Sequence, residues 1–308
     1  MDLKTSALGR LEGRLRACFF SDSTLADFSD DAYFWSGHNI RGKICLDLGM
    51  AYRLPEDTLL DIAASTQLLH DASLIHDDLI DEDTERRGCP AIWKKYGKAK
   101  ALLIGDLLIS KAYEIVINSK VSAATKVVWT GEITAAVSSA VSGAVAELEF
   151  DARNEQLILE NYYRMASRKT GALFALPARC IALTANQPGD VDRLNTTFLN
   201  LAVAYQIKDD QSDFLGTKSG RELSSDLKNG RPNLYHILTS NGMSTEKCFD
   251  YINDYQESLV ADSIQLADSI QLADSLPKQV CVILKELLIP FIELEPLPSS
   301  NGLLQVGT

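Results

Sequence analysis

Apolar residues recur at helical spacing along almost the whole chain, whereas alternation with a period of two residues, bounded by turn residues, is scarce. This pattern predicts an all-α fold. Helices are expected at residues 3–20, 41–53, 57–81, 98–119, 123–152, 155–185, 191–215, 233–238, 245–276 and 278–289. No linker rich in Gly, Ser or Pro divides the chain, so we expect one domain over residues 1–295 and a loose tail at 296–308.

The composition narrows the classes of partner. With 30 basic and 42 acidic residues, the formal net charge of −12 would repel DNA or RNA from most of the surface. A small phosphorylated substrate remains compatible with this charge, because magnesium ions can lie between carboxylates and phosphates. The six cysteines form no C-x-x-C pair, and neither a signal peptide nor an apolar stretch long enough to cross a bilayer is visible. We therefore expect a cytoplasmic protein with reduced thiols and no stable membrane insertion.

The first candidate site is an acidic cluster in the segment LLHDASLIHDDLIDEDTERRG. Asp77 and Asp81 are four residues apart and therefore share one helical face, with Asp78 beside them, although like charges placed in this way repel. An acidic run of this kind, taken alone, is usually a solvated helix face. Its position between an apolar stretch and the basic run at 86–88 favours a functional role instead.

A second acidic cluster repeats the same design in the segment AYQIKDDQSDFLG. Asp209 and Asp213 are again four residues apart, and Asp210 lies between them. Two such helices facing each other would form a cage of oxygen ligands suited to magnesium, which prefers carboxylates together with the phosphate oxygens of a substrate. The pair of clusters is much stronger evidence for a metal site than either cluster alone.

In their order and spacing these motifs resemble those of the trans-isoprenyl diphosphate synthases, also called polyprenyl synthetases, including the farnesyl and geranylgeranyl diphosphate synthases. The resemblance covers residues 36 to 233. The matching elements are the D-D-x-x-D motif of Asp77, Asp78 and Asp81, the R-R-G of Arg86, Arg87 and Gly88, the K-T of Lys169 and Thr170, and the Q-x-x-D-D-x-x-D of Gln206, Asp209, Asp210 and Asp213.

The resemblance implies an antiparallel helical bundle of the isoprenoid synthase type with a central active-site cavity, and a homodimer. It also implies magnesium-dependent condensation of isopentenyl diphosphate with an allylic diphosphate. Three magnesium ions held by the two aspartate motifs would neutralise the leaving diphosphate, and Arg86 and Lys169 would take more of its charge. Gln206 and Thr170 would face the allylic cation, because neutral dipoles stabilise a cation without trapping it.

The pocket for isopentenyl diphosphate departs from the family pattern. The family has G-G-K followed by an arginine, and here Arg41 matches that arginine while His38 stands in place of the lysine. The resemblance assigns His70 and Arg87 to the same pocket. Arg221 and Arg231 stand where the family often has lysines, and arginine keeps both the charge and the ability to bind phosphate.

Product length is expected to depend on the helix that precedes Asp77, because the tail of the growing chain would run along it. Ala72 and Ser73 lie about one turn before Asp77 and are both small, and Leu69 lies one turn further. The family resemblance implies that a large aromatic residue there would stop growth near fifteen carbons, so small residues favour a product of about twenty carbons (geranylgeranyl diphosphate), with fifteen as the alternative. Small residues at these positions are also explained by close helix packing alone.

Two other functions are compatible with parts of the sequence. The substitution at His38 is compatible with a class I terpene synthase, or with a non-standard prenyl coupling enzyme, on the same fold. A non-catalytic partner subunit of an active synthase would be expected to lose the aspartate motifs, and both are present here.

The departure at His38 yields a test. An imidazole carries less positive charge at pH 7 than an ammonium group, so His38→Lys should lower the Michaelis constant for isopentenyl diphosphate and leave that for the allylic primer nearly unchanged. Steady-state kinetics with each substrate varied in turn measures both constants. Loss of activity in the variant would instead show that the pocket serves a different nucleophile.

Overall fold

The structure is a computed structural model that describes residues 3–37, 39–150, 158–217, 230–270, 277–287 and 292–294. Helices make up nearly all of the regular structure in these residues. They are α1 (Leu3–Phe20), α2 (Ser23–Ala26), α3 (Ala32–Trp35), α4 (Ile40–Ala51), α5 (Glu56–Ile80), α6 (Ile92–Tyr96), α7 (Lys98–Asn118), α8 (Ala123–Leu148), α9 (Ile158–Ala166), α10 (Ala172–Thr184), α11 (Pro188–Phe214), α12 (Leu234–Ser240), α13 (Thr245–Asp268) and α14 (Pro277–Leu287). A π-helical segment, Ser167–Gly171, joins α9 to α10, and the strands β1 (Glu85–Arg86) and β2 (Cys89–Pro90) form a hairpin between α5 and α6.

The predicted all-α fold is confirmed, and the long helices agree with the predicted ranges to within a few residues. The helix expected over 155–185 is interrupted, because Ser167–Gly171 adopts π geometry. The short helices α2, α3 and α6 and the hairpin were not predicted, since segments this short carry too little periodicity. The end of the helix expected at 245–276 and the tail at 296–308 lie partly or wholly outside the described residues.

Helix α5 is the central element of the bundle. Every residue from 59 to 72 is buried, because α1, α4, α7 and α10 pack around it on all sides. Polar residues on this helix need internal partners, and Ser65 Oγ donates a hydrogen bond to the Ala112 carbonyl of α7 at 3.0 Å. The C-terminal end of this rigid helix carries the first aspartate cluster.

The buried apolar residues form two clusters. The larger one joins α1, α4, α5, α7, α8, α10 and much of α11, and the smaller one joins α9, the C-terminal part of α11, α12 and α13. In the larger cluster Trp129 is fully buried, and its indole N–H donates to Thr184 Oγ1 at 2.8 Å, which ties α8 to α10. Among the described helices, none has both the length and the apolar composition needed to cross a membrane.

The hairpin after α5 turns at two residues in the left-handed region. Arg87 has φ +53° and Gly88 has φ +76°, which is the backbone pattern of a tight two-residue hairpin turn. Glu85 pairs with Pro90 and Arg86 with Cys89 in this antiparallel pair. The turn therefore fixes the directions of two adjacent arginines just beyond the first aspartate cluster.

Candidate active site

A cavity of about 550 Å³ opens between α5, α8, α10, α11 and the start of α4. Both aspartate clusters contribute to its wall, together with the π-helical segment. The predicted site residues on the wall are Arg41, His70, Ser73, Asp77, Arg86, Arg87, Lys169, Thr170, Gln206, Asp209, Asp210 and Arg231. Residues from six separate parts of the sequence thus converge on one central cavity, as the resemblance implies.

At the first cluster, Lys169 lies between two carboxylates. Its Nζ is 3.1 Å from Asp77 Oδ1, and it also forms an ion pair with Glu147 of α8. Burial raises the pKa of Asp77, but Lys169, Arg231 and Arg86 together hold it below its usual value. Burial likewise lowers the pKa of Lys169, and the carboxylates of Asp77 and Glu147 raise it above its usual value. Both groups are therefore charged at neutral pH.

The local backbone explains how Lys169 reaches this position. It belongs to the π-helical segment, and such segments often occur at functional sites because they change which side chains face inward. Helix α8 passes very close to it, since a Cβ placed on Gly143 would lie 2.2 Å from the backbone nitrogen of Lys169. Glycine at 143 thus allows the approach that brings Glu147 to Lys169.

Asp78, which was predicted as a metal ligand together with Asp77 and Asp81, does not lie on the cavity wall. It is 1% exposed, accepts a hydrogen bond from Tyr33 Oη at 2.7 Å, and accepts another from Arg86 Nε at 2.7 Å. Burial lowers the pKa of Arg86, but the Asp78 carboxylate more than offsets this and raises it. Both carboxylate oxygens are engaged, so Asp78 positions Arg86.

The third aspartate of the first motif, Asp81, has a cationic partner from the chain before α12. Arg231 forms an ion pair with Asp81 and lies 3.8 Å from Asp83. Arg231 was predicted as a substrate-binding residue, and the structure places it beside the first aspartate motif. A diphosphate held there would be within reach of its guanidinium group.

At the second cluster, Asp210 accepts hydrogen bonds from three helices. It is 1% exposed and accepts hydrogen bonds from Tyr162 Oη at 2.8 Å, from the Leu234 amide at 2.8 Å and from Gln206 Nε2 at 3.0 Å. Thr170 Oγ1 donates to Gln206 Oε1 at 3.3 Å, so the Gln206 amide is oriented at both ends. Thr170 and Gln206 thus form a row of neutral polar groups along the wall.

The other two aspartates of this cluster are placed differently from each other. Asp209 lies on the wall of the cavity. Asp213 is 1% exposed and lies outside the wall, although it was predicted as a metal ligand of the same kind. Asp213 is four residues after Asp209 and therefore lies about 6 Å further along the axis of α11.

The predicted second phosphate pocket has three described residues on the cavity wall, Arg41, His70 and Arg87. Arg41 stacks on Phe174, with its guanidinium carbon 4.8 Å from the ring centroid, and burial lowers its pKa to about 10. Arg87 lies against the loop before α4, since a Cβ on Gly37 would be 2.4 Å from its Nη1. Burial and the nearby arginines hold the pKa of His70 well below its usual value, so this imidazole is neutral. His38 and Arg221 lie outside the described residues.

Comparison with known proteins agrees with this arrangement. Residues 22–265 match the model of the polyprenyl synthetase family. The chain belongs to this family. It is 31% identical over 216 residues to the farnesyl diphosphate synthase of Bacillus subtilis (strain 168), covering 67% of this chain and 72% of that protein.

Solved structures show the same fold as this polyprenyl synthetase. A geranylgeranyl pyrophosphate synthetase from the archaeon Geoglobus acetivorans has a TM-score of 0.79 and 19% identity, covering 94% of this chain and 100% of that one. A polyprenyl synthase from Caulobacter crescentus CB15, solved with calcium and isoprenyl diphosphate, has a TM-score of 0.72 and 20% identity, covering 91% and 94%. The predicted isoprenoid synthase fold is confirmed, and the chain is a trans-prenyltransferase.

Of the residues predicted to control product length in this synthetase, one lies on the cavity wall. Ser73 is on the wall, and its Oγ donates to the His70 carbonyl at 2.7 Å. Ala72 and Leu69 are 1% and 2% exposed, respectively, and belong to the hydrophobic core behind the wall. Ala72 is one residue from Ser73, which rotates its side chain by about 100° around the helix and away from the cavity, whereas Leu69 lies one turn further along α5 than Ser73.

Several residues of this synthetase's site were not predicted. Glu147 pairs with Lys169, Tyr33 bonds to Asp78, and Tyr162 bonds to Asp210. The two tyrosines carry no local signal, since each contact joins residues more than forty positions apart. Glu147 lies in the run ELEFD, which has the composition of an ordinary solvated helix end.

The carboxylates of the synthetase fit a magnesium site that substrate completes. Within the described ranges, no three His, Cys, Asp or Glu side chains are arranged to hold a metal ion by themselves. The wall carboxylates of Asp77 and Asp209 are the hard oxygen donors that magnesium prefers. The ammonium group of Lys169 at 3.1 Å from Asp77 shows that this site accommodates a cation. The donor set suits a metal whose remaining ligands are phosphate oxygens and water.

The two clusters supply ligands that cannot replace each other, which yields a second test. Asp77→Ala and Asp209→Ala should each lower turnover by at least about a hundredfold, the scale of losing a major electrostatic contribution at a reacting centre. Asp250→Ala, at an exposed position on α13, is the matched control and should leave turnover unchanged. Rates are measured at saturating substrate after circular dichroism has verified folding. Turnover near that of the unmodified enzyme in either cluster variant would rule out a mechanism that needs both motifs.

Proposed function

We propose that this prenyltransferase condenses isopentenyl diphosphate with an allylic diphosphate, with magnesium as its cofactor, and that it acts as a cytoplasmic homodimer of the short-chain type. The observation that carries this proposal is the division of one cavity into two anion sites. Asp77 and Asp209 with Lys169 and Arg231 form one group of wall residues, and Arg41 and Arg87 form a second group. Two diphosphates bound at these groups would share one cavity.

The metal-assisted site would hold the allylic diphosphate. Asp77 and Asp209 on the wall would be direct ligands, with Asp81 after release from Arg231, and Asp78, Asp210 and Asp213 would hold the surrounding groups in place. Bound magnesium, three ions by the family resemblance, supplies charge neutralisation to the leaving diphosphate. The Caulobacter synthase solved with calcium and isoprenyl diphosphate supports a divalent metal in this fold.

The chain's own residues would stabilise the charges that form. Lys169 and Arg231 face the leaving diphosphate, which departs with the electron pair of the broken carbon–oxygen bond. The row formed by Thr170 and Gln206 presents neutral dipoles to the allylic cation. The double bond of isopentenyl diphosphate forms the new carbon–carbon bond, and the proton that is then lost goes to the departing diphosphate. The cavity walls would hold the reacting carbon atoms of the two substrates close together and exclude water.

One assay tests the reaction class. The purified protein is incubated with magnesium and each allylic diphosphate from five to twenty carbons, with and without isopentenyl diphosphate, and the products are identified by mass. Elongated diphosphates that require both substrates are the expected result. Hydrocarbons or alcohols formed without isopentenyl diphosphate would show a terpene synthase, and absence of turnover until another synthase is added would show a partner subunit.

We propose a product of about twenty carbons, because Ser73 leaves the wall next to the metal site unobstructed. Ser73→Phe should shift the main product to about fifteen carbons, since the ring would fill the cavity one turn from Asp77. Ala72→Phe is the matched comparison, and it should lower the melting temperature by overfilling the core. Chromatography of the dephosphorylated products measures the length distribution. A wild-type product of fifteen carbons, or an unchanged distribution in Ser73→Phe, would contradict this proposal.

The proposed homodimer rests on an exposed apolar surface on α7 and α8. Leu103 and Ile117 of α7 are each 65% exposed, and Val127 of α8 is 72% exposed, so these two helices present apolar side chains to solvent. The ends of the two helices are adjacent, because Lys126 Nζ donates to the Ile117 carbonyl at 2.7 Å. A second copy would cover this surface. The free thiols of the described cysteines agree with a reducing, cytoplasmic location.

Light scattering after size exclusion tests the oligomeric state. The unmodified protein should have the mass of two chains, and the double variant Ile117→Glu with Val127→Glu should have the mass of one, because two charges would be buried in the interface. Met50→Glu, at a half-exposed apolar residue on α4, is the control and should remain dimeric. A monomeric wild type would disprove the dimer.

A further inference from the structure

A buried carboxyl group lies behind the second anion pocket and has no place in the mechanism above. Asp71 of α5 is 6% exposed. Gln67 Nε2 donates a hydrogen bond to Asp71 Oδ1 at 2.8 Å, and Gln67 itself lies on the cavity wall, as does His70. An acidic group is unexpected in a pocket that binds an anion, so its electrostatic surroundings are informative.

Charged and titratable groups reach Asp71 from four elements. Arg41 comes from α4, Arg87 from the hairpin, Tyr33 from α3 and His70 from α5 itself. Burial raises the pKa of Asp71 to about 7, although Gln67 and the two arginines act in the opposite direction. His70 is neutral, and burial together with the Asp78 carboxylate raises the pKa of Tyr33, which keeps it protonated. Asp71 is therefore the group in this cluster that changes its charge near neutral pH.

A diphosphate entering the pocket would change this balance. It would be a second anion close to the same two arginines, and a nearby like charge favours the neutral form of a carboxyl group. The hydrogen bond from Gln67 occupies Oδ1, so a proton taken from solvent would reside on Oδ2. Gln67 would keep its orientation in both states, because Oδ1 remains an acceptor.

We propose that Asp71 sets the charge of the second anion pocket and takes up one proton from solvent when a diphosphate binds there. It would act as a specificity-determining residue for that substrate, and it would have no effect on the allylic diphosphate at the metal site. The inference rests on the proposed function only for the identity of the substrate, isopentenyl diphosphate.

The sign of the pH dependence follows from this linkage. Below about pH 6 Asp71 is already protonated in the free enzyme, so binding needs no further proton. Above about pH 7 Asp71 is ionised. Binding of a diphosphate then either takes up a proton from solvent or is weakened by repulsion between the diphosphate and the carboxylate. The Michaelis constant for isopentenyl diphosphate should therefore rise with pH, by at most about tenfold per unit for a single linked proton.

Kinetics of Asp71→Asn test the proposal in the working enzyme. The substitution keeps the shape and the acceptor for Gln67 and removes the charge. Both Michaelis constants are measured from pH 6.0 to 8.5 in a His38→Gln background, because an imidazole also titrates in this range. The constant for isopentenyl diphosphate should coincide in the two proteins at pH 6.0 and be several-fold lower in Asp71→Asn at pH 8.5. The proposal would be overturned if the Michaelis constant for isopentenyl diphosphate changed with pH in the same way in both proteins. It would also be overturned if the Michaelis constant for the allylic primer changed as much as that for isopentenyl diphosphate.

A binding measurement separates this inference from the proposed reaction. Inorganic pyrophosphate is titrated calorimetrically into each protein in the presence of a chelator, at pH 7.5, in buffers of different ionisation enthalpy. The unmodified protein should take up more protons than Asp71→Asn, and Arg87→Gln should weaken binding in both backgrounds. Equal proton uptake would overturn the proposal, whereas greater uptake by an enzyme that does not use isopentenyl diphosphate would uphold it and refute the proposed substrate.

Two controls exclude a general effect of the substitution on folding. Burial penalises the ionised form of Asp71, so Asp71→Asn should raise the melting temperature most at pH 8, less at pH 5, and little below about pH 4, where the carboxyl group is protonated in both the folded and the unfolded chain. Asp61→Asn neutralises another buried aspartate of α5 that lies outside the cavity, 3.1 Å from Arg14. In Asp61→Asn the Michaelis constant for isopentenyl diphosphate should depend on pH as it does in the unmodified enzyme. A pH dependence like that of Asp71→Asn would show that the effect is not specific to the pocket.

Discussion

Repulsion among carboxylates collected inside a helical bundle is the constraint on which the rest of this structure depends. Placing several acidic groups at low exposure is unfavourable unless cations accompany them. Here each carboxylate of the first motif has one: Lys169 for Asp77, Arg86 for Asp78 and Arg231 for Asp81. The cations come from the π-helical segment, the hairpin and the chain before α12, so neutralising one helix end requires distant parts of the chain to meet.

The same requirement explains the asymmetry of the cavity. One group of wall residues combines the carboxylates of Asp77 and Asp209 with the cations Lys169 and Arg231. The other group combines guanidinium groups with a neutral imidazole and an aromatic face. Under the proposed function, a diphosphate at the first group would be activated to leave, and one at the second group would only be held. The distribution of charge would then give different chemical roles to two substrates that carry the same head group.

The sequence predicted those features that local spacing determines. Residues four apart share a helix face, so the positions of Asp77 and Asp209 on long helices followed from spacing alone. The contacts of Tyr33, Tyr162 and Glu147 did not, because they join segments far apart in the chain and depend on how the helices pack. The rotation of α5 about its axis was also undetermined. Periodicity identifies a buried helix, but burial on every side does not show whether Ser73 or Ala72 faces the cavity.

The π-helical segment has a consequence for how this protein tolerates insertions and deletions. A π turn holds one more residue than an α turn of the same length, so α9 and α10 are out of phase by about 100° across it. Deleting any one residue between Ser167 and Gly171 would allow a continuous α-helix and would rotate α10 relative to α9 by that angle. The interface of α10 with α4, α5 and α11 would then be lost along its whole length. At this point the number of residues is constrained at least as strongly as their identity.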